Sequence, residues 1–300
     1  MFLGRDEDWS IGLFTGEGID RLAPVDRVKN PVLSARQVSD IQADFVADPF
    51  LVPGEGVWHL FFEALNAGTR KGEIGLAQSP DGFQWRYRGV VLREPFHLSY
   101  PHVFRWMGEH YMTPESDLGG PVRLYKAQPF PTRWQLVGEL LKGRGFLDPS
   151  PFFHDNRWWM FVGGGVGRND TLRLFHTSVL TGPWDEHPAS PLLQSNPHGA
   201  RPAGRVWVRK DRIIRFGQEA HPYYGRGIRA FEVTELTPTA YREKEIPLSF
   251  SRGKEGGSGW NRDGMHHIDL QPLDGTRWLA CVDGLRRGLR LGAGRWRLRL

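Results

Sequence analysis

The sequence predicts an all-β protein, a five-bladed β-propeller formed as a single domain over residues 1–300. The first observation is a phrase that recurs roughly every fifty residues, a spacing that suits propeller blades. It reads Asp48-Pro49-Phe50, Tyr100-Pro101-His102-Val103-Phe104, Asp148-Pro149-Ser150-Pro151-Phe152 and Arg201-Pro202-Ala203-Gly204. The second is an apolar run that follows each phrase after a short loop, at 57–64, 109–116, 157–164 and 212–220. The third is an aromatic residue opening the outermost strand of each unit: Trp85, Trp134, Trp184 and Tyr241. Large rings at equivalent places bury area where one blade faces the next.

Taken in order, residues 9–16 (WSIGLFTG) and the stretch before Pro31-Val32-Leu33 have strand character but match no repeat. The first unit begins at 47–52, nearly continuously apolar, as an innermost strand buried on both sides requires. A Pro53-Gly54-Glu55-Gly56 turn follows, then strands over 57–64 and 72–79, a Ser79-Pro80-Asp81-Gly82 turn, and a last strand over 85–92. Three further units repeat this order. Residues 251–264 (SRGKEGGSGWNRDG) are rich in glycine and charge, which fits either a mobile loop over one mouth of the ring or a disordered spacer. A divergent fifth pair, 266–273 and 277–284, comes last and lacks an outer strand pair. The N-terminal strands are therefore expected to pair with this blade and close the ring, removing exposed sheet edges. The arginine-rich stretch after it would lie nearby, as an outer strand or a loop.

Lys plus Arg 39 against Asp plus Glu 34 leaves a net charge of +5. Much of the excess sits in Arg286, Arg287, Arg290, Arg295, Arg297 and Arg299, a solvated edge rather than the denser face that nucleic acid needs. The single cysteine, Cys281, forbids an internal disulfide and points to a reducing, cytoplasmic setting. Arg5, Asp6, Glu7 and Asp8 stand where a signal peptide needs an apolar stretch. No segment approaches the roughly eighteen apolar residues of a membrane-spanning helix. Phosphate-loop, zinc and nucleophile-elbow patterns are absent.

In a propeller, the start of each innermost strand and the end of the second strand lie at one mouth. Strand starts bring Asp48, Tyr100, Asp148, Arg201, His266 and His267 there; second-strand ends bring Glu63, Glu115, Gln218, Glu219 and Asp283. Carboxylates crowded round one funnel push their pKa values apart by repulsion and desolvation. Pro114 breaks sheet pairing and could aim Glu115 inward. Adjacent residues on a strand face opposite sides, so only one of His266 and His267 is expected to face the channel, which argues against a two-histidine metal site. Trp260, on the 251–264 loop, is a candidate sugar-stacking face.

A five-unit ring with Asp-Pro at its first inner strand resembles the five-bladed glycosidases, the arabinanases, xylosidases, invertases and levansucrases. That resemblance implies Asp48 as base or nucleophile and Asp148 as the residue that orients and tunes. Arabinanase-like enzymes carry their acid glutamate where this chain has Arg201, so the acid would be Glu115 or Glu219. The phrases FVADPF (45–50), HLFFEA (59–64), GEIGLAQSPDG (72–82), HLSYPHVF (97–104), YMTPES (111–116), ARPAG (200–204) and HHIDL (266–270) give a closer resemblance over nearly the whole chain. They are similar to the propeller domain beside the glycosyltransferase of plant glucosamine inositolphosphorylceramide transferases and its stand-alone bacterial relatives. A glycan-related role follows from this resemblance, without transferase activity, since the transferase is a separate module.

The expected function is thus glycoside hydrolysis of a sugar-containing substrate, with Arg201 pairing an acidic or phosphorylated group. Two alternatives are a non-catalytic glycan-binding propeller and a cyclase or lyase reusing the same site. No organic cofactor is expected. Propeller glycosidases that hold channel calcium near a fifth-blade histidine imply such an ion at His266 or His267, held mostly by water and carbonyls. The competing arrangement has that histidine hydrogen-bonded to Asp269 or Asp283.

Overall fold

Five antiparallel sheets succeed one another along the chain in the computed structural model, which describes residues 3–165, 168–209, 212–250 and 258–291. Strands β1 (Leu3–Gly16) and β2 (Ala23–Pro24) come first. Blade one is β3 (Ala43–Gly54), β4 (Val57–Asn66), β5 (Lys71–Ser79) and β6 (Arg86–Leu92). Blade two is β7 (Leu98–Trp106), β8 (Glu109–Ser116), β9 (Val122–Ala127) and β10 (Trp134–Leu141). Blade three is β11 (Phe146–His154), β12 (Arg157–Gly164), β13 (Leu172–Thr177) and β14 (Asp185–Glu186). Blade four is β15 (His198–Pro202), β16 (Trp207–Arg209), β17 (Arg212–Glu219), β18 (Gly227–Leu236) and β19 (Tyr241–Ile246). Blade five takes β20 (Ile268–Pro272) and β21 (Trp278–Leu291) as its inner strands and β1 and β2 as its outer ones. Among the described residues the helical content is two short 3-10 turns, at 19–21 and 35–37.

The composite fifth blade is the expected ring closure. Strand β1 pairs with β21 without a break from Leu3 opposite Leu291 to Gly16 opposite Trp278. Arg286 and Arg287 belong to this ladder, opposite Asp8 and Glu7, so the basic stretch begins as a neutralised inner-blade strand. Arg295, Arg297 and Arg299 lie outside the described residues, as do 251–257 of the predicted mouth loop.

The outer-strand aromatics fill the seams between blades. Trp134 sits edge-on to Phe61 of the preceding blade, ring centroids 5.6 Å apart, and Tyr241 to Phe161 of its own predecessor at 5.9 Å. Trp184 and Trp85 join the corresponding clusters with blades two and five. Each ring so buried contributes about 2 kcal/mol.

The recurring X-Pro phrase has a backbone consequence. Proline cannot donate to a ladder, and the register shifts at each phrase: between Ala47 and Phe50, Ser99 and His102, Leu147 and Ser150, and His198 and Pro202. The residue before proline in the first three blades is left-handed, with φ 52° at Asp48, 47° at Tyr100 and 49° at Asp148. Such backbone costs about 1–3 kcal/mol per residue and persists where surrounding contacts fix it.

Candidate active site

Those contacts are carboxylates. The Tyr100 N–H donates to Asp48 Oδ2 at 3.1 Å, and the Asp148 N–H to Glu115 Oε2 at 3.1 Å. The Asp48 N–H points at Asp283 Oδ2 at 3.4 Å. Each bend is therefore held by an acid from the preceding blade. Asp48, Glu63, Glu115, Asp148 and Asp283 are all buried and meet at the funnel.

Arg201 is their main counter-charge. Its Nε and a terminal nitrogen bind Asp148 at 2.6 and 3.2 Å, the same terminal nitrogen reaches Glu115 Oε2 at 3.1 Å, and the other donates to Asn169 at 3.1 Å. The guanidinium is spent inside the protein, so the expected capture of a substrate acid by Arg201 gives way to internal pairing. Gln218 adds a donor to Asp148 Oδ2 at 3.1 Å.

This arrangement splits the acids. Burial would raise Asp148, but the charge and hydrogen bonds of Arg201 outweigh it and hold the carboxyl below its usual range. Burial drives Glu115 well above its range, partly offset by Arg201 and reinforced by the Asp148 charge. Asp48 is pushed up to about 7 by burial, against the attraction of His266. Glu63 is also held well above its range, by burial first and then by repulsion from Asp48 and Glu115. Its neighbour is neutral His97, whose Nδ1 accepts the Gly72 N–H at 2.9 Å and whose Nε2 lies 3.3 Å from Glu63 Oε1.

Both His266 and His267 turn to Asp48, with ring nitrogens 3.5 and 3.7 Å from its Oδ1. The alternation expected of a strand does not apply, because the pair precedes β20 and both backbone N–H groups converge on Asp283 Oδ1, at 2.9 and 3.0 Å. Burial takes His267 down to about 3, so it is neutral. Asp283 Oδ2 lies 2.6 Å from His266 Nδ1. Asp48, His266 and Asp283 offer ligand atoms within 4.8 Å of one another. Calcium does not fit them: it takes about 6–8 oxygens, and both Asp283 oxygens already serve backbone N–H groups and the His266 ring.

Three sequence-chosen residues are placed elsewhere. Glu219 follows Gln218 on β17 and so faces the other way; it binds His198 Nδ1 at 2.8 Å, Arg229 at 2.8 Å and the His221 N–H at 3.1 Å. Burial opposes its ionisation, but these partners prevail and keep it below the usual range, unsuited to donating a proton. Glu219→Gln is therefore expected to cost about 1 kcal/mol of stability and to leave any turnover of the protein unchanged, as denaturant unfolding and rate measurements will show. The Tyr100 ring is fully buried beneath the funnel, its hydroxyl paired with Ser150 Oγ and accepting the Gly204 N–H, both at 2.7 Å. Trp260 packs on blade five, where a methyl group on Gly12 or Gly284 would meet its ring at 2.4 or 2.2 Å.

Residues without a repeat signal complete the site. Tyr224, in the loop between β17 and β18, lies over Arg201 (5.2 Å to the ring centroid) and edge-on to His266 (5.1 Å). Below the acids, Arg205 fills the channel. It binds Asp269 Oδ1 at 2.7 Å and the Val103 carbonyl at 2.8 Å, and it lies 3.3 Å from His102 Nε2.

The sequence profile described as Glucosamine inositolphosphorylceramide transferase 1, N-terminal, matches residues 4–285. The chain belongs to this family. It is 34% identical to Glucosamine inositolphosphorylceramide transferase 1 of Oryza sativa subsp. japonica over 298 residues, 93% of this chain and 40% of the rice protein. The Arabidopsis thaliana protein of that name is also 34% identical, over 95% of this chain and 40% of its own length. The chain thus spans about two fifths of the curated relatives it matches. In fold, this family member is similar to the catalytic domain of a Coprinopsis cinerea GH62 α-L-arabinofuranosidase, with TM-score 0.58, 14% identity and 93% and 97% of the two chains covered. It is likewise similar to a family 117 glycoside hydrolase of Zobellia galactanivorans, with TM-score 0.53, 14% identity and coverage of 80% and 84%. A Cellvibrio cellulosa α-L-arabinanase mutant gives TM-score 0.58 at 16% identity, covering 81% and 90%.

Proposed function

We propose that this propeller acts on a glycan, cleaving a glycosidic bond in its funnel with Glu115 as proton donor and Asp48 as base. The observation that carries the reading is the way Arg201 divides the buried acids, gripping both oxygens of Asp148 while giving Glu115 a single shared donor. Glu115 is pushed well above its usual range, Asp148 is held below it, and Asp48 is set near 7, the division of labour that acid/base hydrolysis requires. In this scheme Asp148 orients Glu115 and the reacting sugar, and the half-buried Tyr224 ring offers a face for that sugar to stack on. Because Arg201 is neutralised from within, the reacting sugar is uncharged at this point. The propeller fold shared with named glycosidases supports the chemistry; the names of the curated relatives support a glycan substrate.

Hydrolysis of an aryl-glycoside panel tests it. Wild type should turn over at least one member, and Asp48→Asn and Glu115→Gln should each lower the rate about a hundredfold or more. Equal rates in all three proteins would end the proposal.

One observation favours a second reading, a glycan-binding propeller without turnover: Asp48, Glu115 and Asp283 each cap a backbone N–H of a neighbouring segment. That reading expects calorimetric binding of an oligosaccharide, no hydrolysis of any substrate, and an affinity only a few-fold weaker in Asp48→Asn.

A further inference from the structure

The rim of the funnel holds a second arrangement that the acid/base scheme leaves unused. His266 is buried between the rings of Trp9 (4.2 Å between centroids) and Tyr224 (5.1 Å), with one nitrogen toward each of two acids. Nδ1 is 2.6 Å from Asp283 Oδ2, and Nε2 is 3.5 Å from Asp48 Oδ1. Asp283 is fully buried and holds the His266 N–H as well as the ring, so the imidazole has one available orientation. A carboxylate that fixes one imidazole nitrogen aims the other and stabilises the imidazolium form.

We propose that His266, clamped by Asp283, is a positioning residue that supplies the counter-charge of Asp48 from within the protein, in the place where a metal ion would otherwise serve. The inference rests on the assignment of Asp48 as base. Three facts support it. The local oxygens do not make a calcium site. The imidazole Nε2 lies 3.5 Å from Asp48 Oδ1 while the Tyr100 N–H donates to Oδ2, so the two carboxylate oxygens face different partners. And the surroundings need a cation: Asp48 faces Glu63, Asp148 and Asp283, while Arg201, whose charge reaches Asp48, is bonded to Asp148 and Glu115. His267 is neutral, and Tyr100 and Tyr224 add no charge. Attraction to Asp283 and Asp48 overcomes the cost of burial and raises the His266 pKa above its ordinary value, which favours the imidazolium form. An opposite charge at such a distance lowers a carboxyl by about one to three pH units. Asp48, already at about 7 with His266 present, would without it be protonated and useless as a base at neutral pH.

The test reads the imidazole directly. In a 1H–15N long-range NMR titration of the full chain, the His266 signal is assigned by its loss in His266→Gln. It should titrate above the ordinary histidine range, and Asp283→Asn and Asp48→Asn should each lower its midpoint by about a unit or more. EDTA and added calcium should leave it unmoved. A wild-type midpoint at or below the ordinary range, indifference to both substitutions, or displacement by calcium would each overturn the inference. On any glycoside that is hydrolysed, His266→Gln should move the acid limb of kcat upward by about a unit or more with KM little changed, while His266→Lys should restore it in part. A purely structural histidine would lower rates at all pH values alike and move no limb. If no glycoside is turned over, the proposed function fails while the NMR result still decides the charge of His266.

Discussion

Replacing Arg201 with methionine is expected to cost about 3–5 kcal/mol of folding stability, roughly a fifth or more of the 5–15 kcal/mol typical of native proteins. The substitution leaves Asp148 and Glu115 side by side, buried, and without the guanidinium that bonds to both. The contribution of Asp148 to the pH dependence should change sign. In the wild type, Asp148 has a folded pKa below its unfolded value, so its contribution is present above the ordinary carboxylate range and is lost as pH falls through the folded value. In Arg201→Met, burial and the neighbouring acids raise Asp148 above its unfolded value and hold Glu115, already raised in the wild type, higher still. Their contribution is then complete at low pH and is lost as pH rises through the raised values. Urea unfolding from pH 4 to 8 checks this: stability should fall more steeply with rising pH in the variant than in the wild type, where Asp148 takes no part in the loss. Unchanged stability in the variant would mean that Arg201 is not the centre of charge balance.

The second large effect belongs to Gly204→Ala. Gly204 has φ 124°, and a methyl group there would lie 1.8 Å from the Ile268 carbonyl oxygen. This is where blade four meets blade five through a parallel bridge between Gly204 and Ile268, and where the Tyr100 hydroxyl accepts the Gly204 N–H. Left-handed strain and overpacking together should remove about 4 kcal/mol. A thermal melt and the soluble yield on expression measure it; a wild-type melting profile would show that the seam adjusts more freely than its geometry implies.

The ring was readable from sequence because each blade repeats the same punctuation. X-Pro marks the bulge at the funnel, and one aromatic marks each seam, so Asp48, Asp148, Arg201 and the closing strands could all be placed by analogy between units. Glu219 could have been placed too: period-two alternation allows only one of Gln218 and Glu219 to face Asp148, and the smaller cost of burial falls to the amide. The two histidines misled for the converse reason, since alternation was applied where Asp283 had already gathered both N–H groups outside the ladder. Tyr224, His97 and Arg205 left no periodic trace. They sit on connections unique to one blade, and their roles come from what lies across the ring rather than along the chain. No helix among the described residues is long and apolar enough to cross a bilayer.

The acid caps on the left-handed bends have an evolutionary consequence. Asp48 holds the backbone of blade two, Glu115 that of blade three and Asp283 that of blades one and five. A lineage that abandoned chemistry would still be selected to keep these acids, since losing one releases the strained turn of the next blade. Descent from an enzyme to a lectin-like protein could then proceed through the rim, at positions such as Tyr224, while the floor of acids stayed fixed. Gain of a new substrate would follow the same route in reverse, with the rim as the variable part and the acids as inherited masonry.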